Sequence, residues 1–198
     1  MANYSLILAS SSRYRRELLD RLGLEYTCVS PSVDETVHAG ESPLQVCSRL
    51  ARAKAMAVAS MHPGCVVIGS DQVCDLDGET LGKPHNYDNA VKQLERMQGK
   101  ELVFHTAVCV VDSEGNIQES VSDTTITMRR LSRRAIEDYV RREQPYDCAG
   151  SAKIEKLGIA LMQSVTSDDP TSLIGLPLMR LTTMLAHAGI NAVDDLLA

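Results

Sequence analysis

The sequence predicts an α/β protein, and three observations carry that prediction. Short aliphatic runs such as Leu6 to Ala9 and Val66 to Ile68 have the length and composition of buried strands. Other segments place their apolar residues at helical spacing, the longest running from Ser42 to about Met61. Leu102 to Val111 and Gln118 to Met128 read as two long strands joined through Ser113, Glu114, Gly115 and Asn116, an antiparallel hairpin. At 198 residues the chain suits a single domain or a two-lobed one with a sizeable core, and a second lobe must be built from the hairpin region.

The first strand leads through Ser10, Ser11 and Ser12 into Arg13 to Leu22, where Leu18, Leu19 and Leu22 have helical spacing and Gly23 closes the segment. A serine loop at a helix start gathers free backbone N–H groups that stabilise an anion, and Arg15 or Arg16 adds a clamp for a phosphate. The same residues also read as an N-cap at Ser12 followed by a solvated arginine face. Tyr26 to Val29 is expected as a second short strand, and Asp34 and Glu35 follow in a loop, where alone they are a weak metal-site pattern.

Pro43 suits the first position of the long helix. Its apolar stripe includes Cys47, Leu50 and Ala51, and Lys54 falls at the next position of the same series. A lysine in line with a buried stripe needs an anionic partner or an exit to water.

The central stretch, Val66 to Pro84, organises the rest. After Val66 to Ile68, the sequence Gly69, Ser70, Asp71, Gln72 is expected to put a carboxylate where a strand ends, the usual ligand position in open α/β sheets. Val73, Cys74 and Leu76 resume the strand pattern, Asp77 and Gly78 reverse the chain, and Gly82, Lys83, Pro84 deliver a lysine on a constrained loop. Asp71 and Lys83, twelve residues apart, are expected to meet in one cleft.

Further on, Asp88 to Met97 is a helix closed by Gly99, and Ser132 caps a helix from Arg133 to Arg142 with Ile136, Tyr139 and Val140 facing inward. Cys148, Ala149, Gly150 and Ser151 are small enough for a close backbone approach, and Glu155 lies in a loop before a strand expected at Ile159 to Met162. Asp168, Asp169, Pro170 turn the chain into a last helix, Leu178 to His187, closed by Gly189.

A net charge of −6 argues against a nucleic-acid polymer as partner, because polymer binding needs a broad basic face. A small anionic ligand needs only a few placed cations. The six cysteines include no C-x-x-C pair and mostly lie in apolar runs, so they read as free, buried, reduced thiols. Tyr4 to Ala9 is too short for a signal peptide's apolar region and no membrane span is expected, which points to the cytoplasm.

Taken in order, the opening strand with SSSRYRRELL, VDE, the lysine helix, GSDQV with GKP, CAGS and the late IGLPL resemble the Maf family of nucleoside triphosphate pyrophosphatases. The resemblance implies a strongly curved mixed β-sheet with flanking helices and two lobes around a central cleft, in a protein that forms a homodimer. It implies hydrolysis between the α- and β-phosphates of a nucleoside triphosphate with a divalent cation, Mg²⁺ or Mn²⁺. Asp71 matches the family's proton acceptor and Glu35 the carboxylate near metal and phosphates, so these two are the metal ligands the resemblance implies. Ser10, Arg15, Lys54 and Lys83 match the phosphate-contacting positions.

The family's base-specificity positions fall at Tyr14, Gln72 and Glu155, a set that looks like the branch acting on 7-methylguanosine triphosphate. The physical chemistry agrees. N7 methylation makes guanine cationic, Tyr14 offers an aromatic face to a cation, and Glu155 accepts from the guanine N1–H and amine. That branch more often carries tryptophan where this chain has Tyr14, which implies looser discrimination against GTP. Two alternatives stand beside this reading: the same chemistry on dTTP or UTP, and a non-catalytic nucleotide-binding regulator of cell division. An intact Asp71 argues against the second, since a carboxylate beside a triphosphate is repelled unless a metal or proton intervenes.

Overall fold

A computed structural model describes residues 5 to 194 and residue 196 of the chain. Tyr4, which opens the stretch weighed above as a signal segment, lies outside them. Seven strands form one mixed sheet: β1 (Leu6–Ala9), β2 (Thr27–Cys28), β3 (Val66–Leu76), β4 (Glu79–Leu81), β5 (Glu101–Val111), β6 (Ile117–Met128) and β7 (Met162–Ser167). Their order is β2-β1-β3-β5-β6-β7, with β4 also on β3; the pairs β1–β2 and β1–β3 are parallel and the remainder antiparallel. Among the described residues, five α-helices flank it: α1 (Arg13–Leu19), α2 (Pro43–Ala59), α3 (Tyr87–Met97), α4 (Arg133–Glu143) and α5 (Leu178–His187).

β3 does not break after Ile68. It runs unbroken through Gly69 to Gln72, so Asp71 lies inside a strand rather than at its end. The reason is tertiary: β5 pairs along β3 from Val67 to Asp75 and keeps the polar stretch extended. On the other edge the neighbours are discontinuous. β1 covers β3 only as far as Gly69, and β4 takes over only at Cys74. Ser70 to Val73 therefore face an interval with no neighbouring strand. The chain leaving β1 at Ser10 enters this interval from one side. β4 runs back along β3 from the turn at Asp77 (φ 57°) and Gly78 (φ 84°), so Lys83 approaches from the other side.

Strand alternation divides what covers the sheet. On one face α2 packs Val46, Cys47, Leu50, Ala51, Ala55 and Val58 against Ile7, Val67, Ala107 and Cys109. On the other, α5 and α1 cover Leu6, Leu8 and Ile68, while α3 and α4 cover Cys74, Leu76, Leu102 and Phe104. Between these two apolar clusters β3 presents Ser70 and Gln72. The hairpin expected from the sequence is β5 and β6; its Leu102, Phe104, Ile126 and Met128 join the α3–α4 cluster, while Val108 and Val110 join the α5 cluster.

Helix signals in the sequence correspond closely to the structure. Ser42 and Gln45 form a reciprocal capping box on α2, Ser12 and Ser132 cap α1 and α4, and Gly23 takes a left-handed conformation beyond α1. Three expectations require correction. The second strand is reduced to Thr27 and Cys28, and Cys28 is exposed on it rather than buried. Leu157–Leu161 is a short 3₁₀ helix and the strand begins at Met162: only Leu161 and Met162 of the expected strand reach the core, Ile159 is exposed, and Gln163 to Ser167 lie exposed at the sheet's edge. All six cysteines are free, with Cys47, Cys74 and Cys109 buried. Among the described residues, no helix is long and apolar enough to cross a membrane.

One glycine fixes how closely α2 approaches β3. A Cβ at Gly69 would lie 2.4 Å from the Ala51 carbonyl oxygen and 2.5 Å from the Ala55 nitrogen, both helix backbone that cannot yield alone. Gly69→Ala is expected to lower unfolding free energy by about 1–3 kcal/mol, the usual cost of overpacking, as measured by denaturant unfolding.

Candidate active site

The close approach of α2 carries Lys54, between Ala51 and Ala55, onto the stretch of β3 that holds Asp71. The Lys54 Nζ lies 2.6 Å from Asp71 Oδ1 and 2.8 Å from Glu35 Oε1. Lys54 is 7% exposed and Asp71 8%. An ammonium and a carboxylate this buried are tolerable only as partners, which answers the question the lysine's position in the stripe raised. Glu35 arrives from the loop after β2 and remains largely open to the cleft, its side chain 58% exposed. Its carboxyl is held below the ordinary carboxylate value, first by the hydrogen bond from Lys54 and then, against some desolvation, by the charges of Lys54, Lys83 and Arg15.

Two adjoining cavities open here, of about 580 and 480 Å³. Ser10, Ser12, Arg15 and Lys83 line the first; Asp71, Gln72, Glu155 and apolar groups including Leu81 and Leu173 line the second. Tyr14, Arg15, Glu35, Lys54 and Lys83 border both. The nine site residues expected from the sequence thus surround one continuous cleft. The first cavity gathers cations against few carboxylates, suiting polyanionic phosphate; the second is flatter in charge and partly apolar, suiting a base.

Within the serine loop, the Ser12 amide donates to Ser10 Oγ (3.1 Å) and the Arg15 amide to Ser12 Oγ (3.4 Å), so both alternatives weighed for this loop coexist: Ser12 is the cap and Arg15 still faces the cleft. Arg15 Nε donates to the Gly175 carbonyl at 2.8 Å, which fixes the guanidinium and leaves its outer nitrogens toward the cavity. The Tyr14 hydroxyl is pushed upward, mainly by burial and then by the nearby Cys148, Asp147 and Glu155, so the ring is a neutral phenol. Arg13 already sits over the Tyr14 ring, 5.2 Å from its centroid, so one face of the ring is taken. Glu155 lies on a tight turn in which the amides of Lys156 (3.1 Å) and Gly158 (2.9 Å) both donate to the Lys153 carbonyl.

Several contributors escaped sequence reasoning. Gly175, within the IGLPL motif but given no role, accepts from Arg15 Nε and also from Ser70 Oγ at 3.1 Å. The Cys47 thiol donates to the Asp71 carbonyl (3.3 Å) and the His105 carbonyl (3.1 Å), tying α2 to two strands; burial pushes it up to about 12, so it stays protonated. Lys153 lines the first cavity, with its Nζ donating to the carbonyls of Glu143 and Gln144 at the α4 C-terminus and lying 3.4 Å from Asp147 Oδ1. No sequence pattern marks the roles of Gly175 and Cys47, because each acts through a partner 24 or more residues away.

The model for the family described as Maf-like protein matches residues 5–188. The chain belongs to the Maf family. A relative from Albidiferax ferrireducens, named 7-methyl-GTP pyrophosphatase, is 53% identical over 95% of both chains. One from Bordetella pertussis with the same name is 55% identical over 94% of this chain and 93% of its own, and one from Methylobacillus flagellatus is 52% identical over 95% and 98%. A HAM1 protein from Coxiella burnetii superposes with a TM-score of 0.54 at 15% identity, covering 93% of this chain and 99% of that one; this shows a shared fold. The Maf assignment agrees with the mixed sheet and the cleft.

The Lys54 pairings set two expectations for stability. Because the Glu35 carboxyl is depressed below its ordinary 4.5, its contribution is fully present above that pH and is lost as pH falls through the folded-state value. Unfolding measured against pH should show wild type and Glu35→Gln differing by less than about 1 kcal/mol at neutral pH, converging below pH 4.5. Lys54→Met should cost far more, about 3–5 kcal/mol at neutral pH, because it leaves Asp71 buried and unpaired.

Proposed function

We propose that this Maf-family chain hydrolyses 7-methylguanosine triphosphate to the monophosphate and diphosphate, removing a modified nucleotide before it enters nucleic acid. The observation that carries the chemistry is the Lys54 ammonium held between Asp71 and Glu35 in a cleft whose adjoining cavity is rich in cations. The observation that carries the base is the placement of Tyr14 and Glu155 on the second cavity. The names of relatives more than half identical along nearly the whole chain support the same substrate.

Ser10, Arg15 and Lys83 hold the phosphates, with Arg15 pre-aimed by Gly175. Asp71 accepts the proton of the attacking water, and the hydrogen bond from Lys54 fixes the orientation of its carboxylate. Glu155, acceptor-only when ionised, takes the guanine N1–H and exocyclic amine, and its charge favours the methylated cation over plain guanine. The open face of Tyr14 stacks on the same base.

The donor set fits a divalent cation that arrives with its substrate. Among the described residues, no third His, Cys, Asp or Glu joins a metal-binding group, and two carboxylates at the junction of the two cavities, Glu35 bordering both and Asp71 the second, are what Mg²⁺ or Mn²⁺ uses when phosphate and water complete its shell. Glu35 and Asp71 would hold it, and it would neutralise charge on the phosphate oxygens. The family resemblance extends the reading to a homodimer acting on free nucleotides in the cytoplasm.

Diphosphate release from 7-methylguanosine triphosphate, GTP, dTTP and UTP tests the substrate. The methylated guanine nucleotide should lead in kcat/KM by about tenfold or more, about 1.4 kcal/mol in transition-state binding; a lead by dTTP or UTP would overturn the base assignment. Asp71→Asn should abolish turnover while nucleotide binding persists, and unchanged turnover would remove Asp71 as the base.

A further inference from the structure

Gln72 occupies one of the positions matched to base recognition, yet its contacts point elsewhere. Its Nε2 donates to the Ser172 carbonyl (2.9 Å), the Leu173 carbonyl (3.2 Å) and Thr106 Oγ1 (3.1 Å). The donor nitrogen is thereby spent on the protein, and the presence of two carbonyls opposite it fixes which end of the amide faces them. Thr106 Oγ1 itself donates to the Ser172 carbonyl at 3.0 Å, and the Gly175 amide donates there at 2.8 Å. One carbonyl thus takes three donors, from β3, β5 and its own turn.

That turn, Ser172–Ile174, ends at Gly175, whose φ of 124° lies in the region glycine tolerates. The Gly175 carbonyl is the acceptor that aims Arg15. The path from Gln72 to the phosphate clamp is therefore continuous: amide to turn, turn to carbonyl, carbonyl to guanidinium. Ser70, two residues earlier on the same face of β3, holds the same Gly175 carbonyl from below.

We infer that Gln72, while its side chain lines the second cavity, is also a positioning residue for the phosphate clamp, acting through the turn Ser172–Ile174 and Gly175 on Arg15. The inference rests on the reading of the cleft as a triphosphate site. It gives Gln72 a second role that Tyr14 and Glu155 lack, at the phosphate end of the molecule.

Inorganic tripolyphosphate, which has no base, is the discriminating probe. Its affinity with Mg²⁺ present would be measured by titration calorimetry for the unsubstituted protein, Gln72→Met, Arg15→Ala and the double variant. Gln72→Met should weaken tripolyphosphate about tenfold, the size expected when one charge-assisted hydrogen-bonding group is misplaced, and should add nothing further in the Arg15→Ala background. Unchanged tripolyphosphate affinity with a loss confined to the guanine nucleotide would overturn the inference, as would full additivity in the cycle. If Gln72→Met does not fold, Thr106→Val removes a second donor from the Ser172 carbonyl and should weaken tripolyphosphate in the same direction; no change there also overturns it. Failure of the unsubstituted protein to bind tripolyphosphate would instead overturn the triphosphate reading of the cleft, and the inference with it.

Discussion

A buried ammonium shared by two carboxylates is the constraint from which the rest of this structure follows. Lys54 can lie inside the protein only while Asp71 faces it, with the more exposed Glu35 as a second partner, and Asp71 can be buried in a strand only while Lys54 compensates it. Three separate segments, the loop after β2, the helix α2 and the strand β3, are thereby held in one arrangement. Gly69 makes the arrangement sterically attainable, because no side chain separates the strand from the helix backbone at that point.

The sheet supplies the space in which this charge cluster can meet a ligand. An unpaired interval on one edge of a strand is ordinarily a liability, since its backbone groups lack partners. Here the interval between β1 and β4 coincides with the polar residues Ser70 to Gln72, and chain segments converge on it from both sides. Ser70 and Gln72 also separate the two apolar clusters on that face of the sheet. Their hydrogen bonds to the 172–175 segment replace packing with a polar brace, so the molecule keeps a cleft where a continuous core would have closed it.

The electrostatics are graded along that cleft. Cations from the serine loop, α2 and the loop after β4 concentrate at one end, with Glu35 lowered by their proximity. At the other end the carboxylate of Glu155 and the ring of Tyr14 stand beside apolar walls. A molecule carrying phosphates at one end and a cationic base at the other matches both ends at once. A chain of overall charge −6 can still present this local reversal, because a handful of placed side chains outweighs net charge at contact distance.

The sequence by itself determined most of the elements and the cast of residues. Caps at Ser12, Ser42 and Ser132, the Asp77–Gly78 reversal and the β5–β6 hairpin are local signals, encoded within a few residues and little altered by context. Lys54 was legible because its place in an apolar stripe demanded a partner, and Asp71 because a carboxylate interrupted a β-branched run. The identity of that partner, and the continuation of β3 through Gly69 to Gln72, were decided by tertiary structure. Pairing with β5 overrides the local turn-like composition, and only the folded chain brings residues 35, 54 and 71 to one point. The same holds for the edge strand that begins at Met162, for Arg13 over Tyr14 and for the spent amide of Gln72. Each depends on contacts between segments distant in sequence or on side-chain geometry, and neither is encoded in spacing along the chain.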